Sequence, residues 1–343
     1  LGYPVGSGGF VLEALLHSAP WWAWTGFHVL VFLMLALDLG VFNRKVHAPS
    51  FREAAVWSAV WIGLALLFNG AVFMGYFAPG DGTPYNATLK GTEWFTGYVL
   101  EKSLSVDNLF VFVMLFGAFK VRMEHQHRIL YWGILGALVM RAVMILAGTA
   151  LLNRFEWMMY VFGAFLIYTG IKMFMVEEAE KDPTRNALVR LFKKFFPLDP
   201  EGGHQHFFVK KNGRRFATPM LLVLVSVEVT DLVFAVDSIP AVLAVTRDPF
   251  VVYTSNIFAI LSLRSLYFLL AKMMDRFHRL KLGLAVILTF VGIKMCVAHW
   301  LKESVGISDQ TLILTSLIFI SAVLAGSIVA SLAWPTEHPD GRA

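Results

Sequence analysis

The stretch LLVLVSVEVTDLVFAVDSIPAVLAV (221–245) reads as a membrane span that should not tolerate its own contents. Spanning helices need about 20 predominantly apolar residues, and this run meets that length while carrying Glu228, Asp231 and Asp237. The run YVLEKSLSVDNLFVFVMLF (98–116) does the same with Glu101 and Asp107. Each such acid costs roughly 2.5–3.5 kcal/mol at a helix centre on insertion scales. Only a partner, a proton or a cation can offset that cost, so the five acids mark the working site of a membrane protein.

Composition agrees. Of 343 residues, 57% are hydrophobic and 15% charged, too little polar surface to cover a soluble body of this size. Nine apolar segments stand out, near 21–42, 53–77, 93–118, 128–152, 155–176, 217–246, 250–271, 282–301 and 310–334, and predict an all-α polytopic membrane protein in one transmembrane domain, 1–343. The chain opens on Leu1 rather than Met, and no basic cluster precedes the first segment, so no cleaved signal peptide is expected. Of the 29 Lys and Arg residues, 19 fall in 43–52, 119–128, 177–216 and 272–281. The alternate connections hold only Lys90, Arg154, Arg247 and Lys302. By the positive-inside rule the basic connections face the cytoplasm, which puts the N-terminus outside and the C-terminus inside. The net charge of +5 is then a topology signal rather than a sign of nucleic-acid binding. The long connection 177–216 reads as a solvated cytoplasmic loop, with contact to anionic membrane lipids or regulation as the alternative.

Three matches recur in the same order along successive segments. Glu101-x5-Asp107-Asn108 corresponds to Asp231-x5-Asp237-Ser238, Arg141 to Arg264, and Gly170-Ile171-Lys172-Met173 to Gly292-Ile293-Lys294-Met295. Segments 3–5 (repeat 1, 93–176) and 6–8 (repeat 2, 217–302) therefore read as two copies of one three-helix unit, followed by an additional C-terminal helix and tail, 303–343. Three is odd, so the second copy enters from the opposite side, giving an inverted-topology pair whose substrate site lies near the bilayer midplane. Pro240, three residues after Asp237, is expected to kink or open helix 6 there.

The candidate ligands are hard oxygens: Glu101, Asp107, Glu228, Asp231 and Asp237, with Asn108 and Ser238 beside the aspartates and Ser103, Ser105 and Thr230 nearby. Such donors suit Mg, Ca or Mn, whereas Zn and Cu(I) prefer nitrogen and sulfur. Glu228 and Asp231 share a helix face, but residues six apart point some 120° from each other, so no straight helix brings all five onto one ion. Lys102, Arg141, Arg264 and Lys294 also fall in or near spans and would balance charge, gate the path, or neutralise the acids in buried ion pairs. Asn69 is either a wall of the site or an interhelical hydrogen-bond residue. Asp38 reads as an interfacial or pairing residue, Trp21, Trp22, Trp24 and Trp94 as an aromatic belt, Cys296 as a small packing residue, and His204 and His206 as solvated histidines. Asn86-Ala87-Thr88 fits a glycosylation acceptor. No nucleophile, nucleotide loop or redox motif points to an enzyme, and no cofactor is required.

The runs YVLEKSLSVDNLFVFVMLF (98–116), EVTDLVFAVDSIPAVLAVTRDPFVVYTSNIFAILSLRSLYFLL (228–270) and GLAVILTFVGIKM (283–295) closely resemble the TerC family of integral membrane proteins, in its Alx-like branch. The resemblance implies a relative of the LysE-type transporter superfamily, associated with tellurium resistance, whose Alx-like members export manganese through acids at the positions of Glu101, Asp107, Glu228, Asp231 and Asp237. The expectation is an inner-membrane exporter of a divalent metal ion, manganese above others, with protons as a possible exchange ion because crowded carboxylates have raised, coupled proton affinities. The alternatives are a membrane scaffold or a metallation and assembly factor for exported and membrane proteins. A tellurite-handling protein would need an anion site, which buried acids do not make. Oligomeric state is not readable from the chain.

Overall fold

The structure, a computed structural model, describes residues 18–40, 50–80, 84–119, 121–175, 207–211, 214–271 and 280–333. Its helices are α1 Trp21–Gly40, α2 Phe51–Phe73, α3 Ala87–Ala118, α4 Met123–Arg154, α5 Met158–Met175, α6 Pro219–Leu243, α7 Pro249–Leu261, α8 Leu263–Leu270, α9 Leu280–Val305 and α10 Asp309–Ala333. Among the described residues, α2, α4, α5, α6, α9 and α10 are long and apolar enough to cross a membrane, and α7 with α8 passes the same test only as a pair bent by 41°, the form of a broken span or a re-entrant loop. This is a multi-pass membrane protein. Two further segments read from the sequence are helical but differ from these in kind. The apolar part of α1 is the shorter Trp21–Ala36, and α3 is diluted by Lys90, Glu93, Glu101, Lys102 and Asp107.

Helix starts carry their own signals. Ser50 and Glu53 form a reciprocal capping box on α2, with each side chain bonded to the other's backbone N–H at 3.2 and 3.3 Å. Asn86 caps α3 by accepting from Leu89 N at 3.0 Å, which gives the residue of the glycosylation motif a structural duty. Thr218 and Asp248 cap α6 and α7, each followed by a proline at the first helical position, where its missing N–H costs nothing.

Three expectations need correction. Helix α6 runs through Pro240 without a break and ends one turn later, with the Ala244 N–H bonded to Pro240 O. A proline so near a helix end removes one ladder bond and leaves only a single turn to unsettle. The interruption falls instead at Ser262, between α7 and α8. The chain is also not wholly α: Phe208–Lys211 (β1) and Arg214–Ala217 (β2) pair antiparallel, Phe208 against Ala217, and lead directly into α6. Trp94 is fully buried and donates from Nε1 to Thr254 at 2.9 Å, so it ties α3 to α7 rather than joining an interfacial belt. Trp21 and Trp22 are exposed, as a belt requires.

The most extensive helix contact is α5 against α9. It is closed by glycines: a Cβ on Gly292 would lie 2.6 Å from Gly163 O, and one on Gly170 would lie 2.8 Å from Ala285 O. Backbone touches backbone there, as at small-residue crossings in membranes. Cys296 fills the space that Gly163 leaves. Next in extent come α3 on α7 and α4 on α6, with α3 also on α6 and α4 also on α7, so these four helices surround one buried centre.

Candidate functional site

Arg141 occupies that centre. It projects from α4, is wholly buried, and its guanidinium reaches three other helices. Nη1 donates to Glu101 Oε1 on α3 and, at 3.0 Å, to Asn256 Oδ1 on α7. Nη2 donates to Asp231 Oδ1 on α6 at 3.3 Å. Asn256 closes the ring by donating from Nδ2 to Glu101 Oε2 at 3.0 Å, and Ser105 Oγ donates to Glu101 Oε1 at 3.4 Å. Glu101 is fully buried and Asp231 nearly so. Two charges leave water at low cost only when paired and hydrogen-bonded, and the guanidinium fork serves both acids at once. The pairing is incomplete, because Arg141 Nε and Asp231 Oδ2 are buried without a partner.

The other candidate residues do not join this ring. Glu228, one turn before Asp231 on α6, lies against α4, where a Cβ on Gly136 would fall 2.2 Å from its Oε1. Glycine at 136 is what makes room for the carboxylate, and among the described residues no hydrogen bond or ion pair reaches it. Asp237 accepts from Thr169 Oγ1 of α5 at 3.3 Å, on a different face of α6 from Asp231. Residues six apart on a straight helix must diverge in this way. Ser238 Oγ and Asn69 Oδ1 are buried without partners, Asn108 is buried on α3, and Thr230 Oγ1 bonds back to Ser226 O of its own helix at 2.7 Å. The side chains of Asp107 and Asp38, and residues 176–206 with His204 and His206, lie outside the described residues. Within the described residues no three of His, Cys, Asp and Glu come together as a metal cluster.

Of the remaining basic residues, Lys102 donates from Nζ to Ser262 Oγ, at the break between α7 and α8. Arg264, on α8, meets His127 Nε2 at 3.0 Å. Lys294 lines a cavity of about 900 Å³, into which the start of α3, the ends of α6 and α9 and the starts of α5, α7 and α10 converge. That cavity lies at the end of α6 opposite to the end that β2 leads into. At its wall Lys90 bridges Glu93 at 3.1 Å and Asp248 at 3.0 Å, and Thr246 Oγ1 donates to Glu93 at 2.7 Å. Burial alone would lower the Lys90 ammonium, but Asp248 and Glu93 outweigh it and hold its pKa above the ordinary range. Burial, with Asp248 adding, pushes the nearby Tyr85 phenol up to about 12.

Sequence reading missed Asn256 and the Lys102–Ser262 contact. Both had a signal: Asn256 is a lone amide in the apolar run VVYTSNIFAIL, and Ser262, Arg264 and Ser265 make a polar knot in the middle of a span.

Known proteins resemble this chain over most of its length. An uncharacterized membrane protein of Myxococcus xanthus is 49% identical over 93% of this chain and 95% of its own length. Alx of Salmonella typhi, named as a candidate membrane-bound redox modulator, is 49% identical over 83% of this chain and 88% of its own. Its Escherichia coli K12 counterpart, named likewise, is 47% identical over 86% and 93%. No solved structure matches the chain. The family described as "Integral membrane protein TerC family" matches residues 87–338, from the first turn of α3 past the end of α10 and so across every helix of the Arg141 ring. On that span and those identities, the chain belongs to the TerC family of integral membrane proteins, in its Alx-like branch.

Proposed function

We propose that this protein exports a divalent metal ion, manganese above others, across the bacterial inner membrane. The observation that carries the reading is the meeting of Glu101 and Asp231, one acid from α3 and one from α6, deep in the four-helix centre. Hard oxygen donors at that depth match a dehydrated Mn, Mg or Ca ion, and the TerC resemblance favours manganese. Glu228 would receive the ion on the side of the basic 177–216 loop, and the cavity beside Lys90 and Lys294 would release it on the other face. Protons are the natural exchange ion, taken up by carboxylates as the metal leaves.

An inverted pair of repeats is part of the proposal, and packing supports it. Moving each residue of repeat 1 onto its counterpart in repeat 2 turns the Gly163–Gly292 contact into the Gly170–Ala285 contact, and the α4–α6 interface into α7–α3. A two-fold axis in the membrane plane would produce both exchanges. A redox role of the kind in the relatives' names has no dithiol to work through, since Cys296 is the chain's single cysteine.

Flux of Mn, Mg, Ca and Zn into proteoliposomes, with and without a pH gradient, tests the reading. Mn flux should exceed the others and collapse in Asp231→Asn. Absence of any divalent flux from correctly folded protein, together with partner proteins co-purifying through 177–216, would favour the scaffold reading. Reporter tags at Ala343 and within 186–212 should both report the cytoplasm.

A further inference from the structure

We propose that Arg141 is a tethered competitor of the transported cation: it holds Glu101 and Asp231 in the ion-free protein, and an ion binds these acids only as the guanidinium leaves them. This rests on the cation-transport reading above and says how that site is regulated.

The geometry leaves room for one positive group. Arg141 bonds Glu101 through Nη1 and Asp231 through Nη2, so its planar head fills the gap between the two carboxylates. A Mn, Mg or Ca ion needs oxygen ligands at about 2.0–2.6 Å, which from these same acids means the volume the guanidinium takes up. Sharing would also place like charges side by side in a buried centre. Arg141 therefore excludes a metal, and a metal excludes Arg141.

The hold is also not complete. Asp231 Oδ2 and Arg141 Nε are buried without partners, although a guanidinium with five donors beside two carboxylates could satisfy all of them. Asp231 thus keeps one oxygen free to take the first contact with an incoming ion. Glu228 lies one turn away on the loop side of α6, unpartnered in the space left by Gly136. A cation arriving there would meet Glu228, then the free oxygen of Asp231, and only then contest Glu101. Asn256 accepts from Arg141 while donating to Glu101, so removal of the guanidinium frees its Oδ1 as a further oxygen.

A second consequence concerns the return step. With Arg141 in place, both acids of the ion-free centre face a cation of the protein's own. Arg141 then sets both the affinity of the site and the ability of the unloaded protein to return.

The test uses the full chain in nanodiscs. Mn2+ binding is measured by equilibrium dialysis for the unmodified protein, Arg141→Gln and Arg141→Lys. Arg141→Gln should bind at least about tenfold more tightly, a change expected when a competitor is removed, while its net Mn flux falls. Arg141→Lys should lie between, because one ammonium cannot serve both acids as the fork does. Unchanged or weaker binding by folded Arg141→Gln overturns the proposal, as does unchanged binding by Arg141→Lys should the glutamine variant not fold. A metal-free double-mutant cycle of Arg141→Gln with Glu101→Gln reads the hold by itself. Coupling in that cycle with no Mn, Mg or Ca binding to any variant overturns the cation reading and this proposal together. Mn binding by the unmodified protein that Arg141→Gln does not tighten overturns this proposal alone.

Discussion

Alanine at Gly292 should separate two helices that nothing else holds apart. Its Cβ would meet Gly163 O at 2.6 Å, Ile167 N at 2.9 Å and the Ile167 side chain at 2.9 Å. Two of these are backbone atoms of α5, which cannot retreat by a rotamer change, so α9 must move until 2.6 Å becomes the 3.4 Å of ordinary contact. Overpacking of this kind costs about 1–3 kcal/mol. Alanine recovers up to about 1 kcal/mol of helix propensity in water, but less in a bilayer, where helices form before they associate. The net expectation is a loss of about 1–2 kcal/mol. Gly63→Ala on α2, where nothing lies within 4 Å of the added carbon, is the control and should be neutral. Reversible unfolding of the detergent-solubilised protein measures both. If Gly292→Ala is as stable as Gly63→Ala, the backbone contact between α5 and α9 is wrong, and the two-fold pairing loses its main support.

Three further outcomes follow from the titratable side chains. Glu101→Gln should destabilise the metal-free protein by about 3 kcal/mol, the lower end for breaking a buried pair because Asp231 still faces Arg141. Glu228→Gln should be close to neutral, since among the described residues no hydrogen bond or ion pair reaches that carboxylate; equal losses in thermal unfolding would refute the assignment of partners. At the cavity wall, Lys90 is raised above its ordinary 10.5, so its pairing with Glu93 and Asp248 contributes stability below that pH and loses it as pH rises through the raised value. The melting-temperature gap between the unmodified protein and Lys90→Met should hold from pH 7 to 10 and narrow above 10.5; a gap that does not narrow would count against the ion pair.

The helices were legible because apolar run length is a local property; the caps at Ser50, Asn86, Thr218 and Asp248, which mark where four of them start, emerged only with the structure. The acids were legible too, because any charge at that depth demands an explanation. Which acid meets which partner was not. Arg141 was read as one of four charge-balancing residues, and nothing in its neighbours says that it would face α3, α6 and α7 together. That choice is made by how closely the helices approach, at Gly136, Gly163, Gly170 and Gly292, and a glycine in an apolar run carries no label saying what will press against it. Pro240 misled for a related reason. A proline signals a break in proportion to the helix that must continue beyond it, and α6 has only Ala241, Val242 and Leu243 left. The break at Ser262 needed no proline, only hydroxyls able to bond backward, as Ser262 does to Ala259 O at 2.8 Å and Ser265 to Ser262 O at 3.0 Å.

Glu101 and Lys102 are neighbours in the chain, yet one grips the Arg141 ring and the other the junction of α7 with α8. Successive residues on a helix point about 100° apart, so α3 works like a shaft with two cogs. Turning it far enough to draw Glu101 from Arg141 also draws Lys102 from Ser262. A rotation of α3 would thus reach the central acids and the bend between α7 and α8 together, with no lever needed between them but the helix itself.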